Sequence, residues 1–383
     1  MHRDVERIER LQEAVKQSGL DALAVGLPAN VLLVTGYFPV TGASLAVLTR
    51  EGEQILYAPE DERDFAEFRC DRTVYYRADG MGSLRREIAS TAGLEGKVVG
   101  FECGDLYEPS SYAAMHLFPT AVPELLEGAV LRPAAELLAQ VKAVLTPIEI
   151  DRVRRACRIA QAAFRCGAAR LAPGLKETEA AEAFRGPLVT IGTGFEGVAR
   201  AEGFVFCMSG RHSAEACGAY ARSRAREIEI GDLVLIHCNS HADGYWTDIT
   251  RTWCIGPASD RQAAMYEAVF AAREAALGAI RPGVRAAGVD RAAREVMESR
   301  GYGAAFKHGT GHGVGFAAID HHARPRLAPE SPDVLEAGMV LNVEPAVYID
   351  GFGGVRHCDM AAVTETGVEL LTPFQGRPEE LVR

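Results

Sequence analysis

The chain has 383 residues, 48% hydrophobic and 24% charged, which is the make-up of an ordinary globular protein with room for two domains. Asp and Glu number 52 against 41 Lys and Arg, and the net charge of −11 argues against nucleic acid or an anionic membrane as partner. Nine cysteines without a C-x-x-C pair fit a reducing compartment and argue against a disulfide framework. The opening MHRDVERIERLQEAV is charged, patterned as a helix and has no apolar signal core, so a cytoplasmic location is expected.

The pattern predicts an amphipathic helix over 4–18, a strand from Ala22 to Val25 and a helix from Pro28 to Gly36. Strands follow at Ser44 to Thr49 and Gln54 to Ala58 around a Glu-Gly turn, with another at Val98 to Phe101. This is an α/β domain, expected over residues 1–135, with few catalytic residue types. A structural, oligomeric or substrate-capping role is expected for it. A second domain is expected over 145–383. Pro147 suits the first turn of a helix running to about Ala172, where Pro173-Gly174 stops it.

The second part repeats itself. LAPGLKETEAAEAF (171–184) is similar to IRPGVRAAGVDRAA (280–293), with the glycines 109 positions apart. GDLVLIH (231–237) is similar to GMVLNVE (338–344), with glycines 107 apart. In each copy the sixth residue after the glycine is of a ligand type, His237 or Glu344. The order and offsets indicate duplication and a pseudo-twofold fold.

Candidate chemistry gathers on these copies. In GDLVLIHCNSHADGYWTDITRTW a buried-looking strand reaches His237, a turn follows, and Asp248 stands eleven residues on. A turn centred between 242 and 243 sets His237 opposite Asp248, and one centred on Asp243-Gly244 sets them diagonal. Both registers put the two side chains on one face, because the strand period is two. KHGTGHGVGF (307–316) holds His308 and His312 among four glycines, too many for a helix. Those glycines would let backbone approach a ligand or a strand bend. NVEPAVY ends an apolar strand on Glu344-Pro345, and GGVRHCDM packs Arg356, His357, Cys358 and Asp359 together. A simple turn at Asp350-Gly351 puts His357 opposite Glu344, and one bulged residue puts Cys358 there. His237, Asp248, His312, Glu344 and one of His357, Cys358 or Asp359 form an N, O, S donor set for one divalent metal.

The ordered motifs GDLVLI…DGYWTDITRTW, HGTGHGVG, NVEP and GGVRxxD resemble the family of aminopeptidase P, prolidase, methionine aminopeptidase and creatinase. LDALAVGLPANVLLVTGY is similar to the accessory domain of its prolidase and creatinase branch. The resemblance implies an α+β protein: a creatinase/prolidase-type α/β domain followed by a pseudo-twofold pita-bread catalytic domain, and a homodimer. It also implies two metal ions on Asp, Asp, His, Glu and Glu around a bridging water. Asp248, His312 and Glu344 match three of those ligands. His237 stands for the first Asp and Cys358 for the last Glu, which removes two carboxylates from a site that balances two dications.

Two family histidines are also replaced. One position falls near Cys217, with His212 close by, and the other at Ile319, with His321 and His322 just beyond. Creatinase, which keeps the fold and works without metal, has its essential histidine at the Cys217 position. The resemblance therefore implies a C–N hydrolase of a small amide, amidine or short peptide, with one divalent metal (zinc, manganese or iron) or none. Glu344 would be the general base, and His312 with His308 or His322 would hold the oxyanion. His237, Asp248, Arg356 and Cys217 would bind substrate, and Arg222, Arg224 and Arg324 are further candidates for a substrate carboxylate. The alternatives are an ordinary metal-dependent Xaa-Pro peptidase and a non-catalytic binding protein on the same fold.

Overall fold

The computed structural model describes residues 3–67, 69–77, 81–102, 121–218, 222–318, 323–375 and 377–383. The chain divides into two compact units, Met1–Ile148 and Glu149–Arg383.

The first unit alternates helices and strands: α1 Val5–Gln17, β1 Ala22–Val25, α2 Pro28–Thr35, β2 Leu45–Thr49, β3 Gln54–Pro59, α3 Arg63–Ala66, β4 Arg72–Tyr76, α4 Met81–Thr91, β5 Val98–Phe101, α5 Val122–Leu125, β6 Val130–Pro133 and α6 Ala135–Ala143. The strands form one sheet in the order β4-β3-β2-β1-β5-β6 among the described residues. Asp4 caps α1 by accepting from Arg7 N at 3.1 Å, and Arg7, Leu11 and Val15 recur every fourth residue on its buried face. Helix α2 is buried on every side. Its exposed-donor end is answered by Glu102, which accepts from Leu27 N at 2.6 Å and Asn30 Nδ2 at 2.7 Å. Gly36 ends α2 at φ +75°, a conformation that favours glycine.

The second unit holds α7 Pro147–Ala168 (whose first two residues precede it), α8 Glu177–Gly192, β7 Ala201–Ser209, β8 Leu233–Ala242, β9 Tyr245–Cys254, α9 Asp260–Ala279, α10 Ala286–Ser299, β10 Val340–Val343, β11 Ala346–Ile349, β12 Gly353–Arg356, β13 Asp359–Val363 and β14 Val368–Leu370. Helix α7 stops at Ala168 rather than near Ala172, where Arg170 N and Leu171 N close three-residue turns onto Gly167 O and Ala168 O ahead of Pro173-Gly174. Strands β7-β8-β9 form one antiparallel sheet, β10-β13-β14 a second, and β11-β12 a hairpin.

The repeat is visible in the backbone hydrogen bonds. Gly174 N donates to Ile228 O and Gly283 N to Leu335 O, each at 2.8 Å. Glu177 N donates to Arg226 O and Ala286 N to Asp333 O, each at 2.9 Å. Gly231 and Gly338 take φ of +91° and +93° at the start of the two central strands, and each donates to the strand that returns to it, at Ile255 O and Val363 O. The same turn thus launches β8 toward His237 and β10 toward Glu344. The pseudo-twofold α+β expectation is met.

Candidate active site

The β8–β9 turn is Asp243-Gly244, with φ of +49° and +86°, between the paired residues Ala242 and Tyr245. Two residues with positive φ make the tight hairpin turn whose twist suits antiparallel strands. The second of the two registers is therefore the real one. His237 faces Thr250, and Asp248 faces Asn239, diagonal to His237. A Cβ on Gly203 of β7 would meet Leu188 of α8 and Ser240, so the Ser240 face lies under α8. His237, Asn239 and Asp248 share the opposite face.

In the second hairpin Ala346 pairs with Arg356 around a three-residue turn. Continuing that register sets Cys358, not His357, opposite Glu344. The ladder breaks at His357-Cys358, and Cys358 bridges to Thr250 instead. Asp248, Glu344 and Cys358 then offer ligand atoms that all lie within 4.8 Å of one another. His357 turns away, with Nε2 3.2 Å from Asp359 Oδ2. Asp359 itself lies fully buried between Arg251 and Arg273, 2.5 Å from Arg273 Nε, and accepts from Thr372 Oγ1 at 2.7 Å. Arg251 Nη1 also donates to Cys358 O at 2.6 Å. This buried ion network fixes the backbone that carries Cys358.

His312 reaches the same group from the glycine-rich segment. Its Nδ1 donates to Gly313 O at 2.9 Å, which turns Nε2 inward, 3.5 Å from Asp248 Oδ2 and 4.0 Å from Glu344 Oε1. Asn342 links it to Asp248: Oδ1 accepts from His312 N at 2.7 Å, and Nδ2 donates to Asp248 Oδ2 at 3.2 Å. Burial works against a charge on His312, but Asp248 and Glu344 raise it to about 9. Burial and the same two carboxylates push the Cys358 thiol well above its usual range. A buried acid and a half-buried one thus hold a proton on an imidazole between them, and they oppose ionisation of the thiol beside them. That is the electrostatic demand of a cation site, and the donor set of two O, one N and one S fits a single divalent ion.

His237 sits differently. Its Nδ1 lies 2.8 Å from Arg356 Nη2, 3.0 Å from Thr250 Oγ1 and 3.7 Å from Asp248 Oδ1. A guanidinium only donates, so Nδ1 accepts and the ring proton is on Nε2. Burial and the Arg356 charge push its pKa down to about 4. Arg356 also donates Nε to Thr250 Oγ1 at 3.0 Å and leaves Nη1 4.0 Å from Glu344 Oε2.

His308 stands at the edge of this group. Its Nδ1 is 2.7 Å from Gly309 O and its Nε2 3.1 Å from Tyr348 Oη, so both ring nitrogens are engaged, and burial lowers its pKa. The loop that carries it is pinned from α10: Asp290 accepts from Thr310 N at 3.0 Å, and Arg294 Nη2 donates to His308 O at 3.0 Å. Three of these glycines let backbone pack against backbone. A Cβ on Gly311 would lie 2.1 Å from Asn342 O, and one on Gly313 would lie 2.1 Å from Arg324 O. Gly311→Ala is expected to cost about 3 kcal/mol or more, because backbone must yield. Chemical denaturation checks it, and a loss below about 1 kcal/mol would contradict the packing argument.

Other sequence candidates lie apart from the donor group. Cys217 packs with Phe206 against the cluster that holds Tyr348. His212 is joined to Arg211 at 3.4 Å. Arg222 and Arg224 face Glu215, and Arg324 lies 3.8 Å from Asp333. Ile319, His321 and His322 lie outside the described residues. The sequence reading passed over Thr250, Asn342 and Asn239. Each stands two residues from a chosen one (Asp248, Glu344, His237), so the strand period that placed those three also marked their neighbours.

No helix among the described residues is long and apolar enough to cross a membrane. Residues 151–365 match the model of metallopeptidase family M24, and residues 7–141 match the creatinase/prolidase N-terminal domain. The chain is 30% identical to an Xaa-Pro dipeptidase of Pyrococcus furiosus over 96% of its length and 97% of that protein's. It is 30% identical to the uncharacterized peptidase YqhT of Bacillus subtilis, over 98% and 99%. A solved prolidase of Pyrococcus horikoshii superposes with a TM-score of 0.77 at 27% identity, covering 96% of this chain and 98% of that one. With a pseudo-twofold second unit and ligand-type side chains on both copies of its repeat, the chain belongs to the M24 metallopeptidase family, as a C–N hydrolase with a creatinase/prolidase N-terminal domain.

Proposed function

We propose that the chain hydrolyses short peptides of the Xaa-Pro dipeptide class at a centre built for one divalent ion. The observation that carries this is the approach of Asp248, Glu344 and Cys358 to within 4.8 Å, with His312 Nε2 beside them. His237 is left out of the ligand set. Its lone pair is already taken by Arg356 at 2.8 Å, and that guanidinium would repel a second cation. Lewis-acid polarisation of a carbonyl and acidification of water are the chemistry a divalent ion supplies when bound.

The chain's own residues do the rest. Glu344 accepts the proton of the attacking water and returns it to the departing nitrogen as the C–N bond breaks. Arg356 Nη1, 4.0 Å from Glu344 Oε2, is the fixed positive charge available to a substrate oxyanion or carboxylate. His308, with both nitrogens engaged, positions Tyr348 rather than holding the oxyanion.

Metal analysis of the purified full chain is expected to give about one ion per chain, and two would overturn the single-ion reading. Cobalt(II)-loaded protein is expected to show sulfur-to-metal charge-transfer absorption that Cys358→Ser abolishes. A band that survives the substitution would remove Cys358 from the ligand set. Release of alanine and proline from alanyl-proline tests the substrate class.

A further inference from the structure

Two buried arginines of the second unit, Arg251 and Arg273, both take the Asp359 carboxylate as partner. Arg356 is as buried, at 5% exposed, and takes uncharged partners instead. Its Nη2 donates to His237 Nδ1 at 2.8 Å, its Nε donates to Thr250 Oγ1 at 3.0 Å, and a further side-chain hydrogen bond joins it to Tyr348. Its ion pair with Glu344 is 4.0 Å long, outside hydrogen-bonding distance. The His237 ring does not offset the charge either. With Nδ1 accepting, the ring proton is on Nε2, and the hydrogen bond between His237 and Asn239 is donated from there. Arg356, His237 and Asn239 form a donor-to-acceptor chain with a neutral imidazole in its middle.

That chain sets the charge beside Asp248. Asp248 Oδ2 is turned to His312 and Asn342, at 3.5 and 3.2 Å. Its Oδ1 stands 3.7 Å from His237 Nδ1, the atom that Arg356 holds. A carboxylate at position 237 would pair with Arg356 and cancel it. A neutral imidazole holds the guanidinium in place and leaves its charge whole. The charges then balance at one divalent ion. Asp248, Glu344 and Cys358, ionised on binding, supply three negative charges, and Arg356 with one dication supplies three positive ones. A second dication would add two uncompensated charges beside His237 and Asp248, each 3% exposed, which is costly.

We propose that His237 is a positioning residue that fixes Arg356 as the second positive charge of the centre, in the place of a second metal ion. The inference rests on the single-ion hydrolase reading and adds to it the residue that sets the ion count. The charge at positions 237 and 356 matters in this arrangement, and their bulk does not. The competing account is that the pair is packing alone and the count is set elsewhere in the donor group.

Equilibrium dialysis of the full chain against cobalt(II) separates the two accounts. The parent and His237→Asn, which keeps an uncharged acceptor, are expected to hold about one ion per chain. His237→Asp is expected to hold about two, because its carboxylate cancels Arg356 and adds ligand oxygens. Arg356→Gln removes the charge from the other side and frees the His237 lone pair, so about two ions are again expected. One ion in folded His237→Asp or Arg356→Gln protein, or two in His237→Asn, overturns the role of His237 while the single-ion reading stands. Should both charge variants fail to fold, nitrogen-15 spectra of the parent's histidines decide. His237 is expected to keep a neutral ring protonated at Nε2 after zinc(II) loading, and a metal-bound shift at Nδ1 overturns the proposal. Two ions in the parent sink the single-ion reading and this role with it. The expected counts without release of proline from alanyl-proline sink the hydrolase reading alone.

Discussion

Replacing Glu344 by glutamine is expected to lower turnover by about a thousandfold or more while the fold survives. The side chain is 13% exposed and stands 4.0 Å from both His312 Nε2 and Arg356 Nη1. Its backbone is fixed by donation from Glu344 N to Thr310 O at 2.7 Å, which glutamine retains. The amide keeps the shape and loses two things together: a base for the water proton and a negative charge in the cation site. Loss of a general base alone is worth about 10² to 10⁴ in rate. Neither long ion pair is short enough to make the substitution strongly destabilising. The check is kcat on alanyl-proline beside a thermal melt and a metal analysis. Turnover within tenfold of the parent in a folded, metal-replete variant would take Glu344 out of the proton transfer. Loss of the ion together with turnover would show that its charge in the ligand set matters more than its basicity.

The sequence was legible wherever local periodicity decided the outcome. His237 and Asp248 could be put on one face before any coordinates, because strand period and a turn signal suffice for that. Which residues stand opposite one another was not legible, since a one-residue change of turn moves the pairing. The structure chose Asn239 opposite Asp248 and continued β11–β12 toward Cys358 opposite Glu344. The repeat was readable from two glycine offsets, and it proved to reflect the same strand-launching turn used twice. Long-range pairing was not readable. Nothing in GGVRHCDM says that Arg356 spends its guanidinium on His237, 119 residues away, or that Asp359 is claimed by two arginines. Those partners decide the chemistry of the residues between them. They turn His357 away, leave Cys358 facing the acids, and make His237 Nδ1 an acceptor.

Asp359→Asn is expected to be the most damaging isosteric change in the second unit, at about 3–5 kcal/mol. Arg251 is 0% exposed and spends its charge on this one carboxylate, while Arg273, 5% exposed, shares its charge between Asp359 and Glu274. Burial raises the cost of ionising Asp359, but Arg251, His357 and Arg273 hold its pKa far below the usual carboxylate range. Asparagine keeps one acceptor oxygen, leaves the fully buried Arg251 guanidinium without a counter-charge and leaves Arg273 only Glu274. Breaking a buried pair from one side is costly for that reason, even where the intact pair adds little net stability. The expected fall in Tm is on the order of 10 °C for a unit of this size. The damage should also reach the site, because Arg251 Nη1 holds Cys358 O at 2.6 Å and Thr372 holds Met360 N at 3.0 Å through its hydroxyl. Slackening that strand moves the thiol away from Asp248 and Glu344. The sulfur-to-cobalt band is therefore expected to weaken in Asp359→Asn at temperatures where the protein is still folded. A variant that melts within about 1 kcal/mol of the parent and keeps the full band would mean the buried arginines find other partners and Cys358 is placed by something else.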